Sequence, residues 1–222
     1  SYAHSNPEIC RERLQKVLDA LHQWSLETGF RFSIDKTEWM VFHRTKLLPG
    51  TIELTLGGKK LKEVATKKFL GLIFDRMLTW KPHIDSLRGR CMKSLNVLQL
   101  ICYRSEETDS RTLMRVYRAL IRSKLDYGCQ VYGTAPPTYL LKLDPVHSKG
   151  LRLSLGAYRT SPKESMYVEA GELDLKTRRE LLQLQYYARL KQLPPDQMPV
   201  RLDDTSLDGE YVRPSKRPIS LG

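Results

Sequence analysis

Lys67-Lys68-Phe69-Leu70-Gly71-Leu72-Ile73-Phe74-Asp75 and, after Arg76 and Met77, Leu78-Thr79-Trp80-Lys81-Pro82-His83-Ile84 form the stretch in which the chain changes character. Phe69 to Phe74 is nearly all apolar, as a strand covered on both faces would be. From Thr79 onward the apolar residues recur at helical spacing: Ile84, Leu87, Cys91, Leu95 and Leu98 line one face of a long helix. A short apolar strand with a glycine near its start, then a turn and a long basic helix, suits a hairpin that holds the end of a nucleic acid. The boundary between an α+β part and an all-α part therefore falls near Thr79.

On the N-terminal side, Ser5-Asn6-Pro7-Glu8 reads as a helix start, with a polar cap, a proline in the first turn and an acid at the positive helix end. Cys10, Leu14, Val17, Leu18 and Leu21 follow at helical spacing, and Gly29 sits where a left-handed cap belongs. This helix is expected to cover a sheet built from Arg31 to Ser33, Glu38 to His43 and Ile52 to Leu56, with Gly57-Gly58 as a hairpin turn. On the C-terminal side, Leu113, Tyr117, Leu120 and Ile121 line a second helix. Leu140, Leu143, His147 and Leu151 line a third, and Leu181, Leu184 and Ala188 a fourth, together a small bundle. Pro194, Pro195, Pro199, Pro214 and Pro218 with few apolar residues mark a tail or linker. The expected division is thus 1–78, 79–193 and 194–222.

A chain of 222 residues that is 41% hydrophobic and 28% charged can bury a real core. Its net charge of +12 and pI near 9.6 favour a polyanionic partner, because clustered Lys and Arg gain from neutralising phosphates. Cys10, Cys91, Cys102 and Cys129 are spaced too widely for a zinc knuckle and read as reduced core thiols. There is no run of about 18 apolar residues, so no membrane span is expected, and the polar first ten residues do not read as a signal peptide. Neither a G-x-S-x-G elbow nor a Walker loop is present, which argues against serine hydrolase and P-loop chemistry.

Upstream of the opening stretch, Trp24, Gly29-Phe30-Arg31-Phe32-Ser33 and Asp35-Lys36-Thr37 precede Met40-Val41-Phe42. Downstream come Leu125-Asp126-Tyr127-Gly128 and Arg159-Thr160-Ser161-Pro162 with Glu164-Ser165. In this order, over roughly residues 1 to 193, the blocks resemble the end of the palm and the thumb of a non-LTR retrotransposon reverse transcriptase of the jockey-like, arthropod type. The resemblance implies a remnant of a right-hand palm followed by a helical thumb, gripping RNA template and DNA primer in an RNA-directed DNA polymerase. It also implies Mg²⁺ and deoxynucleotides for the parent enzyme, and a life in a cytoplasmic ribonucleoprotein and the nucleus. The family's catalytic carboxylates are expected upstream of Ser1, in a polymerase half this chain lacks. No catalytic residue or metal ligand is thus expected in this chain, and the chain alone is expected to be inactive. The competing class is a basic nucleic-acid-binding or scaffolding protein derived from a transposon.

Phe69, Leu70 and Gly71 fall where the family has its primer grip; the plainer reading is a buried strand whose glycine relieves crowding. The resemblance places Lys36, between Asp35 and Thr37, near the incoming triphosphate, where a cation could neutralise or protonate the leaving pyrophosphate, although most lysines in such turns are solvated. Arg111, Arg115, Arg118 and Arg122 recur at intervals of four, three and four, which places them on one helical stripe. Four like charges repel, and a phosphate track would relieve them; the bland alternative pairs them with Glu106, Glu107 and Asp109. Lys81, Arg88, Arg90 and Lys93 form a second, less regular strip. Asp203-Asp204, in the proline-rich part, has no strand before it to rigidify metal ligands. His22, His43, His83 and His147 are scattered, and a core or helix-start role suits His83 best.

Overall fold

A computed structural model describes residue 4 and residues 6–43, 52–104 and 109–193. Helix α1 spans Pro7–Thr28. Its start is built as the residues demand, since Asn6 Oδ1 accepts the Glu8 N–H at 2.9 Å and Pro7 occupies the first turn. It stops at Gly29, whose φ of 76° is left-handed. A 3₁₀ turn (Ile34–Lys36) leads to β1 (Glu38–Trp39), β2 (Thr55–Leu56), β3 (Lys59–Lys60), β4 (Lys62–Glu63), β5 (Thr66–Phe69) and β6 (Leu72–Asp75). β1 runs parallel to β4, while β2–β3 and β5–β6 are antiparallel hairpins. The turn at Gly57-Gly58 is where the sequence places it.

The sheet is smaller than expected. Arg31 to Ser33 is not a strand, and only Glu38–Trp39 and Thr55–Leu56 pair within the two longer stretches. Leu54, Leu56 and Leu61, with Leu14, Leu18, Ile34, Trp39 and Ile52 against them, form one small apolar cluster. The Gln15 side chain fixes α1 to it by bonding both the N–H and the carbonyl of Thr55 at 3.0 Å. Of the expected α1 face, Val17 and Leu21 stay exposed.

The C-terminal part is helical: α2 (Lys81–Arg104), α3 (Ser110–Tyr117), α4 (Ser123–Asp126), α5 (Cys129–Tyr132), α6 (Pro137–Leu140), α7 (Asp144–Leu155), α8 (Lys163–Ala170) and α9 (Leu175–Lys191). α3 runs into α4 through a π-helical turn, Arg118–Arg122. Ile84, Leu87, Cys91, Leu95 and Leu98 are all buried, as their spacing predicts, and so are Leu113, Tyr117 and Ile121, Leu143, His147 and Leu151. Tyr117 lies directly on α7, where a Cβ at Gly150 would come within 2.5 Å of its ring, so only glycine allows this approach. The fourth apolar row is a correction: Leu181, Leu184 and Ala188 face outward. α9 instead enters the core through Leu175 and Leu182. Leu72, Phe74 and Trp80 join the helical cluster, so the two apolar cores divide before the β5–β6 hairpin, whereas the periodicity changes at Thr79. The proline-rich stretch and Asp203-Asp204 lie outside the described residues.

All four cysteines are free thiols, Cys91 and Cys129 within the core. His83 is a core residue at 1% exposure. Its Nδ1 accepts the Ile73 N–H at 3.3 Å, and its Nε2 has no partner among the described residues. Burial lowers its pKa from 6.5 to about 4. The unfolded chain therefore takes up a proton between these values that the folded chain refuses, so stability falls as pH drops from about 6.5 towards 4, by up to about 3 kcal/mol. An imidazole NMR titration of the folded chain should place His83 near pH 4; a midpoint near 6.5 contradicts its burial.

Candidate nucleic-acid interface

The β5–β6 hairpin reverses at Leu70 and Gly71, with φ of 45° and 82°, the pattern of a type I′ turn. This corrects the reading of Phe69 to Phe74 as one strand covered on both faces: the chain folds back in its middle. Phe69 is 62% exposed and Leu70 74%. Below the tip, Tyr127 Oη donates to the Leu70 carbonyl at 2.8 Å, and a Cβ on Gly71 would approach the Tyr127 ring to 3.0 Å. At the other end Asp75 accepts from Thr79 N, Thr79 Oγ1 and Trp80 N at 2.8 to 3.0 Å. Those bonds hold Leu78 and Trp80 at φ of 51° and 61°, a left-handed geometry that non-glycine residues resist. Phe74 meets Trp80 edge-on at 5.0 Å and Phe69 at 6.4 Å. A rigid tip thus presents one aromatic and one aliphatic side chain to whatever lies beyond it.

The arginine row divides in two. Arg118 Nε donates to Glu172 Oε1 at 2.7 Å, and its Nη2 donates to the Ala170 carbonyl at 3.0 Å. Arg122 Nη1 donates to Glu172 Oε2, and Arg122 also lies 3.6 Å from Asp126, which pairs with Arg178 at 2.9 Å. The Glu172 side chain is only 2% exposed. Two of the four guanidinium groups therefore have carboxylate partners within the fold and need no phosphate track to relieve their repulsion. The expected acids are not these partners; Glu106 and Glu107 lie outside the described residues. Arg111 and Arg115 are exposed and pair with no carboxylate among the described residues. Lys81, Arg88 and Lys93 stand exposed on α2, and Lys36 is exposed in its 3₁₀ turn. Among the described residues, no three His, Cys, Asp or Glu side chains come together to hold a metal ion. No described helix is long and apolar enough to cross a membrane.

Glu172 carried no local signal, because its partners Arg118 and Arg122 lie about fifty residues away in sequence. Tyr127 did carry one: it belongs to the Leu125-Asp126-Tyr127-Gly128 block. His147 closes the bundle from within. Its ring is bonded to the Tyr117 hydroxyl through Nδ1 and donates through Nε2 to the Leu173 carbonyl at 3.1 Å. Burial holds the His147 pKa below its usual value and the Tyr117 pKa above it.

No family model matches the chain, and no solved structure matches it. Among curated proteins it is 27% identical over 146 residues to an RNA-directed DNA polymerase from the mobile element jockey of Drosophila funebris. It is 28% identical over 145 residues to the jockey polymerase of Drosophila melanogaster. A further relative is the Retrovirus-related Pol polyprotein from type-1 retrotransposable element R1 of Bradysia coprophila, 28% identical over 174 residues. These matches cover 66%, 65% and 75% of this chain, which spans only 16 to 17% of the relatives' length. Over about two thirds of its length, then, this chain of mixed helix and sheet is similar to the RNA-directed DNA polymerases of jockey and other non-LTR mobile elements.

Proposed function

We propose that this chain is the part of a retrotransposon RNA-directed DNA polymerase that holds RNA template and DNA primer behind the catalytic centre. Residues up to about 78 then correspond to the end of the palm, and 79–193 to the thumb. The observation that carries the reading is the hairpin tip: Phe69 and Leu70 stand largely exposed on a turn braced by Tyr127. Exposed apolar groups on a rigid support gain by covering the sugar and base of a strand end. Arg111, Arg115, Lys81, Arg88 and Lys93 supply sequence-independent attraction to phosphates. Val17, Leu21 and Trp24, with Phe30 stacked on Trp24 at 5.5 Å, leave an open apolar face that suits the remainder of the polymerase. The catalytic carboxylates, Mg²⁺ and deoxynucleotide sites belong in that remainder, and the setting is an element ribonucleoprotein in the cytoplasm and nucleus.

The test is a primer whose 3′ nucleotide is photoreactive, annealed to an RNA template and crosslinked to the chain. The expected crosslinks lie within Thr66 to Asp75. Crosslinks that avoid this hairpin and scatter over basic residues would overturn the grip and favour a transposon-derived scaffolding protein that binds nucleic acid without reading its end.

A further inference from the structure

Three helix ends meet at the side of the bundle that α2 and α7 both reach with their C-termini. Cys102 Sγ lies 3.5 Å from the Leu153 carbonyl, which sets the end of α2 beside the end of α7. Ser154 Oγ lies 3.4 Å from the Leu113 carbonyl, which brings the start of α3 to the same place. Two tyrosines stand there almost bare, Tyr103 at 85% and Tyr158 at 83% exposure. The Tyr158 loop is nevertheless built. Arg152 Nε donates to the Tyr158 carbonyl at 3.2 Å, and the Ser161 N–H donates to the same oxygen at 3.1 Å. The backbone is thereby fixed while the ring and the neighbouring Arg159 point away from the core into solvent. Arg111 and Arg115 stand exposed on α3. Asp109 and Glu164 are the described acids flanking these segments, and Glu106 and Glu107 belong to the connection before α3.

We infer that this end of the bundle is a binding site for an unpaired nucleic-acid strand, with Tyr158 and Tyr103 as stacking surfaces and Arg111, Arg115 and Arg159 as phosphate contacts. An apolar protein partner would cover the rings but strand the three guanidinium groups, whereas a nucleotide chain supplies flat bases and anions in alternation. The bases must be unpaired, because a duplex buries their faces in its own stack. Arg152 acts as a positioning residue. The inference rests on the nucleic-acid-binding reading above and adds to it a site separate from the hairpin tip and a preference for single strands.

The experiment measures binding of fluorescent oligouridine, oligothymidine and a blunt RNA–DNA duplex to the 222-residue chain and to Tyr158→Ala, Tyr158→Phe and Tyr103→Ala. Losing a stacked base should weaken single-strand binding about fivefold or more in Tyr158→Ala, whereas Tyr158→Phe keeps the parent affinity and duplex binding is unchanged in both. The two oligonucleotide arms distinguish an RNA strand from a DNA strand, and a Tyr158-dependent loss in either supports the site. Single-strand affinity of Tyr158→Ala equal to that of the parent, with an unchanged circular-dichroism spectrum, overturns it, as does a parent that binds neither oligonucleotide. A parent that binds single strands through Tyr158 but ignores duplex leaves this site standing while the grip on primer and template fails.

Discussion

Replacing Arg122 with alanine is expected to lower the unfolding free energy by about 3 kcal/mol, because it strips the buried Glu172 carboxylate of one of its two cations. Glu172 is 2% exposed at its side chain and is held by Arg118 and Arg122 together. Arg122 is itself largely covered, at 19%, and also approaches Asp126. Truncation leaves Glu172 buried with half its compensation, and desolvation of the remaining charge is what destabilises. For a chain of this size the loss corresponds to a fall in melting temperature of roughly 10 °C, readable by circular dichroism. Arg118→Ala should cost less, since that side chain is 45% exposed and solvent already screens its pair. A melting temperature of Arg122→Ala within about 2 °C of the parent, well inside that expected shift, would show that the pair adds nothing to the fold.

The other half of the row should behave in the opposite way. Arg111→Glu together with Arg115→Glu removes no ion pair among the described residues, so stability should move by no more than about 0.5 kcal/mol. Binding of primer–template duplex should nevertheless weaken by at least about tenfold at low salt, since two attractions become repulsions. The slope of log affinity against log salt should become shallower by nearly two, about 0.9 for each phosphate that is no longer neutralised. Fluorescence anisotropy over a salt series reads both quantities. An unchanged affinity would take α3 out of the interface and leave Lys81, Arg88 and Lys93 on α2 as the phosphate-binding groups. Reversing Arg118 is a poor probe of binding, because it sets an acid beside Glu172 and disturbs the fold first.

These contrasts trace what a one-dimensional reading can reach. The cap of α1, the Gly57-Gly58 turn and the buried face of α2 were legible because each depends on a few adjacent residues or on one helical period. The reversal at Leu70-Gly71 was hidden inside an apolar run, since leucine is not a residue that asks for φ of 45°; the Tyr127 hydroxyl that holds it comes from far along the chain. The arginine row was legible as a row, but its division was not, because Glu172 joins it only through the tertiary fold. α9 misled for a related reason: Leu181, Leu184 and Ala188 have the period of a buried face, and no neighbour in the described structure covers it.

The claim that this chain holds nucleic acid is tested most directly by its affinity for an RNA–DNA primer–template duplex measured between about 50 and 200 mM salt. With three to five phosphates neutralised, the account predicts that affinity falls more than about tenfold across that range and depends little on sequence. An affinity that stays flat with salt, or the absence of binding at the lowest salt, would contradict it.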